Sequence, residues 1–455
     1  MRLGSACDNL RLATFTGLIP RNIHGSHARR VTIWSNTMTQ TQSETLTRRD
    51  ALATGATLLG ATTFGVTGLS ADEPKSPRKV RIGVVGGNFG AAFQWHQHPD
   101  CIVTGVTDLR AERREVLRNV YKCDRVYDSM EIMLKEARDI DAVAIFTEAP
   151  NHVPHSVAAL NAGKHVICAV PAAQSLEECR LLVDTVKKTG LTYMMAETSY
   201  YQQETITARK WYLEGKFGDL FYCEAEYHHV GPLHPKPGSL AIDPNGKRTW
   251  RYGGAPMLYA THTNALLTGV TGERLVEVTC FGVENEVTHK RDNAYKNPFC
   301  NETAMYKTSS GHGFRGSQYW SGAVNITVRA SWYGMNMSFL AQTPYGQPPT
   351  RVTARDKTSF DAAGFEFQEP LVEQIKVPKW YETEMLPAPL RHEGGGHDGS
   401  HPFLTHEFID AVVSERRPTV DVYEAIAYTA PGIVAHQSSL KGGEQLKIPD
   451  FGRGT

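Results

Sequence analysis

KVRIGVVGGNFGAAFQWHQHPDCIVTGVTD, residues 79–108, is the stretch that decides the fold. It opens on an apolar run rich in β-branched residues, 80–85, which indicates a buried parallel strand. A glycine turn follows, then a segment that can be helical, then a second apolar strand that ends on Asp108. This order predicts a dinucleotide-binding βαβ unit, in which the pyrophosphate lies on a helix N-terminus and an acid holds the ribose hydroxyls.

The glycine turn differs from the G-x-G-x-x-G pattern at its second glycine. Aligned on Gly86, the pattern places Asn88 there and Ala91 at the third glycine, where alanine is commonly accepted. Asparagine adopts unusual dihedral angles more readily than most residues, so we still expect the turn to approach a pyrophosphate. The predicted cofactor contacts in this stretch are Gly86, Asn88, Phe89, Gly90 and Asp108.

Asp108 also bears on which nicotinamide cofactor is bound. A carboxylate at the end of the second strand repels the 2′-phosphate of NADP, so it favours NAD. Arg110, slightly further along the chain, leaves NADP open.

Composition limits the class of protein. A chain of 455 residues is long enough for two domains, and its hydrophobic fraction of 41% is that of a globular protein. Lys plus Arg and Asp plus Glu both number 48, and this balance argues against a nucleic-acid partner. The 8 cysteines contain no C-x-x-C pair, which argues against a structural zinc site or a disulfide framework.

Residues 1–78 are predicted to lie outside the fold, as an N-terminal extension with an export signal. Arg48 and Arg49 precede a mildly apolar run of small residues, 51–69, and this resembles a twin-arginine signal. A membrane-spanning helix is the alternative, but the run is only marginally apolar. We therefore expect the twin-arginine export machinery as a partner, a periplasmic location and no stable membrane span. We also expect Met38, rather than Met1, to be the natural start.

The rest of the chain divides by its strand pattern. Strands alternate with helical segments up to residue 198, which predicts a doubly wound parallel sheet of the Rossmann type over residues 79–198. Residues 199–455 contain strands with the alternation and turn residues of antiparallel pairing, and two closing helices. The predicted fold class is therefore α/β, with a Rossmann domain followed by a second domain.

Three segments resemble the Gfo/Idh/MocA oxidoreductases, the family of glucose–fructose oxidoreductase and inositol dehydrogenase. They are PNHVPHSVAALNAGKHVICAVP (150–171), GGAPMLYATH (253–262) and the tail 406–449, in the family's order. The resemblance implies a Rossmann domain, a substrate and oligomerisation domain with a largely antiparallel open sheet, and NAD or NADP. It also implies a small-molecule carbohydrate substrate, such as a sugar or an inositol, and a homo-oligomer.

The resemblance assigns roles to particular residues. The residues expected beside the cofactor are Thr147, Pro150, Asn151, His155 and Val170. His262 is expected to be the base that takes a hydroxyl proton, and Tyr259, one helical turn earlier, to share in this proton transfer.

Two substitutions separate this chain from the family pattern. The family's lysine that orients nicotinamide and substrate is Val170 here, and its aspartate before the histidine is Leu258. Electrostatic help for an alkoxide-like transition state must then come from elsewhere or be missing.

Basic residues upstream of His262 are the candidate substrate contacts. They are Lys247, Arg248 and Arg251. These side chains can hold a hydroxylated or anionic substrate, or belong to a solvated loop. A separate histidine group, His392, His397 and His401, matches no strong zinc spacing, so no metal is expected.

These features support two functions. The first is an exported NAD(P)-dependent oxidoreductase acting on a sugar, polyol or glycoside. Because free nicotinamide cofactor is scarce outside the cytoplasm, the cofactor would be retained through a redox cycle that includes epimerisation, elimination or glycosidic cleavage. The second is a catalytically impaired carbohydrate- or partner-binding protein on the same scaffold, for which the missing lysine and aspartate argue.

Overall fold

The computed structural model describes residues 79–230, 236–239, 241–284, 293–324, 327–355, 358–392 and 395–453. The predicted export signal falls on residues 1–78 and therefore lies outside the described residues. In the described ranges, no helix has the length and apolar character needed to cross a bilayer.

Strands and helices are numbered here in chain order over the described residues. The strands are β1 (Val80–Val85), β2 (Cys101–Thr107), β3 (Val126–Tyr127), β4 (Ala142–Ile145), β5 (His165–Cys168), β6 (Tyr193–Met195), β7 (Leu220–His228), β8 (Leu275–Glu284), β9 (Phe299–Thr308), β10 (Gly313–Tyr319), β11 (Thr327–Gly334), β12 (Met337–Leu340), β13 (Thr350–Thr353), β14 (Thr358–Phe360), β15 (Glu366–Gln368), β16 (Leu371–Gln374) and β17 (Leu446–Lys447). The helices are α1 (Ala111–Tyr121), α2 (Met130–Glu136), α3 (His152–Asn161), α4 (Leu176–Thr189), α5 (Gln203–Leu213), α6 (Thr261–Thr271), α7 (Gly396–Val413) and α8 (Val422–Leu440).

The first sheet, called the parallel sheet below, has the order β3-β2-β1-β4-β5-β6, and all its described pairs are parallel. Its central strands β1 and β4 are almost wholly buried, as their continuous apolar sequences require. The strand order reverses between β1 and β4, and this is where such sheets bind ligands. The predicted doubly wound parallel sheet is confirmed.

The helix predicted between β1 and β2 does not form. Two short 3₁₀ segments, Phe89–Ala92 and Trp95–Gln97, take its place. The cause is tertiary: the Phe93 and Trp95 rings are stacked and buried, and the Tyr121 hydroxyl donates to the carbonyls of Gly90 and Phe93. The segment expected to be helical is therefore a pair of 3₁₀ turns, and the placement of a pyrophosphate at its N-terminus stays a prediction.

The second sheet, called the mixed sheet, has the order β16-β13-β12-β11-β7-β10-β9-β8-β17 in the described residues. Its described pairs are antiparallel except β7 with β10. Helices α6 and α8 pack on one face, where the buried Trp332 donates its indole N–H to the carbonyl of Leu266. The predicted largely antiparallel sheet is confirmed.

Helices from the end of the chain pack on both sheets. Helix α8 contacts β6 of the parallel sheet and β8 of the mixed sheet, and α7 contacts β1. The amide of Met195, at the end of β6, donates to the carbonyl of Val420. The boundary predicted between residues 198 and 199 stays a prediction, because the chain crosses back to the parallel sheet near its end.

Candidate active site

The centre of the site is a buried carboxylate and imidazole pair. Glu197 follows β6 closely and His262 is the second residue of α6, so both lie where elements of the two sheets meet. Their atoms Oε1 and Nδ1 are 2.7 Å apart, and both residues are buried. The Ser199 amide also donates to Glu197 Oε1, at 2.9 Å.

This pair determines which nitrogen of His262 can do chemistry. A carboxylate only accepts hydrogen bonds, so Nδ1 of His262 carries a proton and Nε2 is left to take one. Burial by itself raises the pKa of Glu197, but the neighbouring His262 and the Ser199 amide outweigh burial and bring that pKa below its usual range. Glu197 therefore stays anionic and stabilises an imidazolium at His262.

The start of α6 is held in place by a second buried carboxylate. Glu302 on β9 accepts from the Met257 amide at 3.0 Å and from His436 Nδ1 at 2.9 Å. It also accepts from the Ser439 hydroxyl on α8. Because Glu302 is buried and fully used, it fixes the turn that carries Tyr259 into the site.

Aromatic rings surround His262. The Tyr227 ring lies 4.7 Å from the His262 ring and the Tyr259 ring 6.3 Å from it. Trp320 stands edge-on to both tyrosines and donates its indole N–H to the carbonyl of Gly254. These rings offer apolar faces with polar edges, which suit a flat hydroxylated molecule.

The two tyrosines are neutral hydrogen-bond donors at physiological pH. Burial raises the pKa of Tyr227, and it also raises the pKa of Tyr259 in spite of the nearby Arg251. The Arg251 guanidinium lies over the rings of Trp250 and Tyr259, at 4.5 and 5.3 Å. Arg251 therefore brings a fixed positive charge to this wall of the site.

Two histidines from the start of α7 complete the site on the cofactor side. The His397 ring is 5.5 Å from the Phe89 ring, and its Nδ1 is 2.9 Å from Nε2 of His401. His397 is exposed, whereas His401 is buried. Desolvation of the ring and then the nearby His262 lower the pKa of His397. His229, whose pKa is lowered to about 4 by burial and by Arg251, belongs to the same cluster.

The glycine turn has the close approach that a dinucleotide site requires. Gly86 has φ +102°, and a Cβ there would lie 2.3 Å from the carbonyl oxygen of Phe146. The Gly87 amide donates to Asp108 Oδ2 at 2.7 Å, and the Arg110 amide donates to Oδ1 at 2.8 Å. The acid at the end of β2 therefore holds the turn, and each oxygen keeps a lone pair for a ribose hydroxyl. These residues fit NAD.

The other predicted cofactor contacts have mixed surroundings. Thr147 Oγ1 and His155 Nδ1 lie 3.0 Å apart and bond each other, half-buried after β4. Pro150 and Asn151 form the 3₁₀ turn that leads into α3. Val170 packs against the core of the parallel sheet.

Within the glycine turn, the predicted contacts also differ from one another. Asn88 is exposed and has a negative φ, so the backbone does not require glycine there. Gly90 is buried against Phe146. Phe89 packs edge-on against Phe93, Phe146, His397 and His401 and thereby joins the turn to α7.

The structure separates the three predicted substrate contacts. Arg251 joins His262 and Tyr259 in the site. Lys247 is exposed on a tight turn with Asp243, and the Arg248 guanidinium lies over the Tyr252 ring. The contacts of Lys247 and Arg248 therefore differ from those of Arg251, which lies over the Tyr259 ring.

Several site residues were not predicted from the sequence. They are Glu197, Tyr227, His229, Trp320 and the pairing of His397 with His401. An acid just after the last parallel strand was the available sign for Glu197, because ligands lie at the carboxyl ends of such strands. Among the described residues, no group of three His, Cys, Asp or Glu side chains is arranged to hold a metal ion.

The buried histidines make the free energy of unfolding depend on pH. Burial lowers the pKa of His98, His229 and His401 to about 4 each. The folded state therefore binds fewer protons than the unfolded chain, whose histidines titrate near 6.5. Above about pH 6.5 these neutral histidines make their full contribution to the free energy of unfolding. As the pH falls towards 4 that contribution is lost, by roughly 2–3 kcal/mol for each fully buried ring.

We expect the melting temperature to fall steadily as the pH is lowered from about 7 to about 4.5, as measured by calorimetry. The matched variant His98→Gln should show a shallower fall over the same range. A melting temperature that stays flat over this range would contradict the assignment.

Two family models match the chain. Residues 80–197 match an oxidoreductase family with an NAD-binding Rossmann fold, and residues 350–455 match the C-terminal domain of glycosyl hydrolase 109. A glycosyl hydrolase family 109 protein of Streptomyces coelicolor is 26% identical over 414 residues, covering 82% of this chain and 84% of the relative. Glycosyl hydrolase family 109 protein 2 of Akkermansia muciniphila is 25% identical over 413 residues, covering 84% and 85%.

Solved structures agree on the fold. A levoglucosan dehydrogenase, in complex with NADH and levoglucosan, superposes with a TM-score of 0.63 at 17% identity, over 82% of this chain and 100% of that one. The apo scyllo-inositol dehydrogenase of Lactobacillus casei gives 0.60 at 15% identity, over 82% and 99%. The fold and site thus define an NAD-binding scaffold with a buried histidine and carboxylate pair. Residues 80–197 belong to the Gfo/Idh/MocA oxidoreductase family, as the resemblance implied, and form an NAD-binding Rossmann domain.

Proposed function

We propose that this protein is an exported NAD-dependent glycosidase that retains its cofactor and completes a redox cycle in each turnover. The observation that carries the proposal is a second imidazole besides the Glu197–His262 pair, namely His397, whose ring lies 5.5 Å from the ring of Phe89 in the cofactor turn. A simple dehydrogenase needs one base for one hydroxyl. Cleavage by oxidation and elimination also moves protons at the neighbouring carbon and at the leaving oxygen, which asks for a second acid–base group.

The relatives support a glycoside as the substrate. The two described above are named as glycosyl hydrolase family 109 proteins, and residues 350–455, which include His397 and His401, match that family's C-terminal domain. Bound NAD would supply an acceptor for a hydride from a sugar carbon and would return that hydride before the product leaves.

The residues around His262 suit the proton transfer at the hydroxyl. His262 takes the proton on Nε2, and Glu197 stabilises the imidazolium that forms. Tyr227 and Tyr259, as neutral phenols, donate hydrogen bonds to the oxygen on which charge develops. Arg251 adds a positive charge close to Tyr259, which compensates for the lysine that Val170 replaces.

His397 suits the remaining proton transfers. It is neutral at physiological pH, since its pKa is lowered, and its ring lies against Phe89 of the cofactor turn. In the proposal it takes the proton from the carbon next to the oxidised one and delivers a proton to the leaving oxygen, so that a double bond forms as the glycosidic bond breaks. Water then adds to the carbon that lost the leaving group, the neighbouring carbon regains a proton, and the hydride returns to the oxidised carbon.

Export, location, assembly and cofactor choice belong to the same proposal. The twin arginine at residues 48–49 supports transport of the folded, cofactor-loaded protein to the periplasm. Asp108, whose carboxylate holds the turn, supports NAD over NADP. The resemblance supports a homo-oligomer.

The test asks whether the hydride taken from the sugar is returned to it during glycoside cleavage or accumulates as reduced nicotinamide. We expect protein purified from its native host to contain tightly bound NAD, identified by mass and absorbance. With a panel of p-nitrophenyl glycosides, we expect release of nitrophenol over many turnovers without net accumulation of reduced nicotinamide. In D₂O, deuterium should enter the product at the carbon next to the oxidised one.

The competing outcomes are distinct. Reduced nicotinamide formed in proportion to an oxidised sugar, without release of nitrophenol, would identify a simple dehydrogenase. A protein that contains no nicotinamide and turns over no glycoside would overturn the proposal.

The second candidate function is a carbohydrate-binding protein without chemistry. It is favoured by Val170 and Leu258, which pack against the core of the parallel sheet where the family has a lysine and an aspartate. Measurable sugar binding by calorimetry, with neither turnover nor deuterium exchange, would support it.

A further inference from the structure

We propose that His401 is a positioning residue that determines which nitrogen of His397 carries the proton and holds that ring against the site. The inference rests on the proposed function, because there His397 is the second acid–base group. His401 itself does not face the substrate space; it is buried behind His397.

Packing holds the His401 ring in one orientation. It stacks on Phe93 with centroids 4.5 Å apart and planes at 11°, and it meets Phe89 edge-on at 5.3 Å. Gly396 lies against its other side, where a Cβ would come within 2.7 Å of His401 Cε1. The ring therefore cannot turn over without moving its neighbours.

The hydrogen-bond partners determine which nitrogen of each ring carries the proton. His401 Nδ1 lies 3.1 Å from the carbonyl oxygen of Ala92, which only accepts, so this nitrogen carries the proton. Burial keeps the ring neutral near pH 7, with a pKa of about 4, so its Nε2 is a bare acceptor. The His397 Nδ1 at 2.9 Å must then be a donor. The Nε2 of His397 is left with its lone pair.

The two imidazoles of the site, His262 and His397, have different groups behind them. Both are held in the same tautomer by a buried acceptor, Glu197 behind His262 and His401 behind His397. The acceptors differ in charge, since Glu197 is anionic and His401 is neutral. A carboxylate stabilises a proton taken by its imidazole, whereas a neutral ring leaves its partner ready to release one. The two backing groups therefore suit His262 to keep the hydroxyl proton and His397 to take a proton and release it again.

The backbone at His397 has a strained conformation that its neighbours hold in place. His397 and Asp398 have φ of 52° and 54°, in the left-handed region that favours glycine, and Gly399 follows at 80°. Gln203 holds the segment by donating to the carbonyl of Asp398 at 2.9 Å. Because Ala92 follows the glycine turn, the chain of hydrogen bonds from His397 ends on the cofactor-binding segment.

The ionisable groups that act on these rings are few. His262, Glu197 and Asp398 influence the pKa of His397, and His397 influences the pKa values of His401 and His229. A change in the pH profile of a His401 variant can therefore be attributed to His397, His262 or His229.

The test compares His401→Phe, which keeps the ring packing and removes both hydrogen bonds, with His401→Gln, whose amide can donate and accept. With a p-nitrophenyl glycoside that the wild-type protein cleaves, we expect His401→Phe to lower kcat about 10- to 100-fold. KM and bound NAD should stay near wild type, and the limb of the pH profile that reports His397 should move. His401→Gln should recover most of the loss. His406→Phe, on the same helix but bonded to His98, is the control and should keep wild-type kcat.

A spectroscopic arm separates this inference from the proposed function. In protein labelled with ¹⁵N-histidine, His397 should be protonated at Nδ1 in the wild type and lose that preference in His401→Phe, whether or not any glycoside is cleaved. An unchanged His397 tautomer in His401→Phe would overturn the inference, and so would equal kcat and pH profile in wild type and both variants. Failure of the wild type to cleave any glycoside, with the tautomer change present, would instead count against the proposed function alone.

Discussion

Replacing His262 by alanine is expected to lower kcat for glycoside cleavage by about 10²- to 10⁴-fold while the protein keeps its bound NAD. In the proposed function the imidazole is the base, with Glu197 bonded to it at 2.7 Å, and no second imidazole is bonded to that carboxylate in the described residues. The proposed function places the nucleotide at the turn around Gly86, so its retention should be unaffected. Initial rates and the nucleotide content per subunit measure the two effects separately.

Glu197→Gln separates the charge of the carboxylate from its role as the acceptor for His262. Glutamine can still accept from Nδ1 of His262 through its carbonyl oxygen, so the tautomer is kept and only the charge is lost. We therefore expect a smaller fall in kcat than for His262→Ala, with a shift in the pH dependence of kcat. His312→Gln is the matched control, because this histidine is bonded to Glu273 far from the ring cluster and should leave kcat unchanged.

Some results would remove His262 from its assigned role. Turnover close to wild type in His262→Ala, with NAD still bound, would show that another group takes the hydroxyl proton. Equal losses in His262→Ala and His312→Gln would show that the loss comes from misfolding rather than from missing chemistry.

The parallel sheet could be predicted because its information is local. Continuous apolar runs, glycine turns and helix caps such as Ser175, which accepts from the Glu178 amide, can be identified within a few residues. The missing helix after the glycine turn could not be predicted in this way. Its geometry follows from the burial of Phe93 and Trp95 and from a hydrogen bond to Tyr121, all of which are tertiary contacts.

The site was predictable only where one motif contained it. His262 and Tyr259 lie together in one quoted segment, and they meet in the structure. Glu197 is 65 residues from His262, and the residues that pair with the glycine turn, His397 and His401, come from α7 near the end of the chain. Spacing along the sequence carries no record of such contacts, because they depend on how the two sheets pack.

Neighbouring basic residues illustrate the same limit. Lys247, Arg248 and Arg251 looked equivalent in sequence, yet only Arg251 lies over the rings of Trp250 and Tyr259. The difference arises because Asp243 accepts from the Lys247 amide and closes a tight turn that carries Lys247 out to solvent. A carboxylate a few residues upstream thus decides which cation enters the site.

Gly86→Ala is expected to abolish retention of the cofactor and to destabilise the fold by roughly 2–4 kcal/mol. The new Cβ would lie 2.3 Å from the carbonyl oxygen of Phe146, and the residue has φ +102°, so the turn must move. Moving it also strains the bond between the Gly87 amide and Asp108, which positions the acid for the ribose. Calorimetry measures the first effect, and nucleotide content after purification measures the second.

Gly163→Ala separates the contact at Phe146 from the strain of a positive φ. Gly163 has φ +76°, but a Cβ there meets no atom within 4 Å. Alanine at 163 should therefore cost only about 1–2 kcal/mol, from the left-handed conformation, and should leave the bound NAD in place. If both variants kept their NAD, the turn at Gly86 would not be the element that retains the cofactor. If both lost it, general destabilisation rather than the turn would explain the loss, because the two glycines share only their unusual dihedral angles.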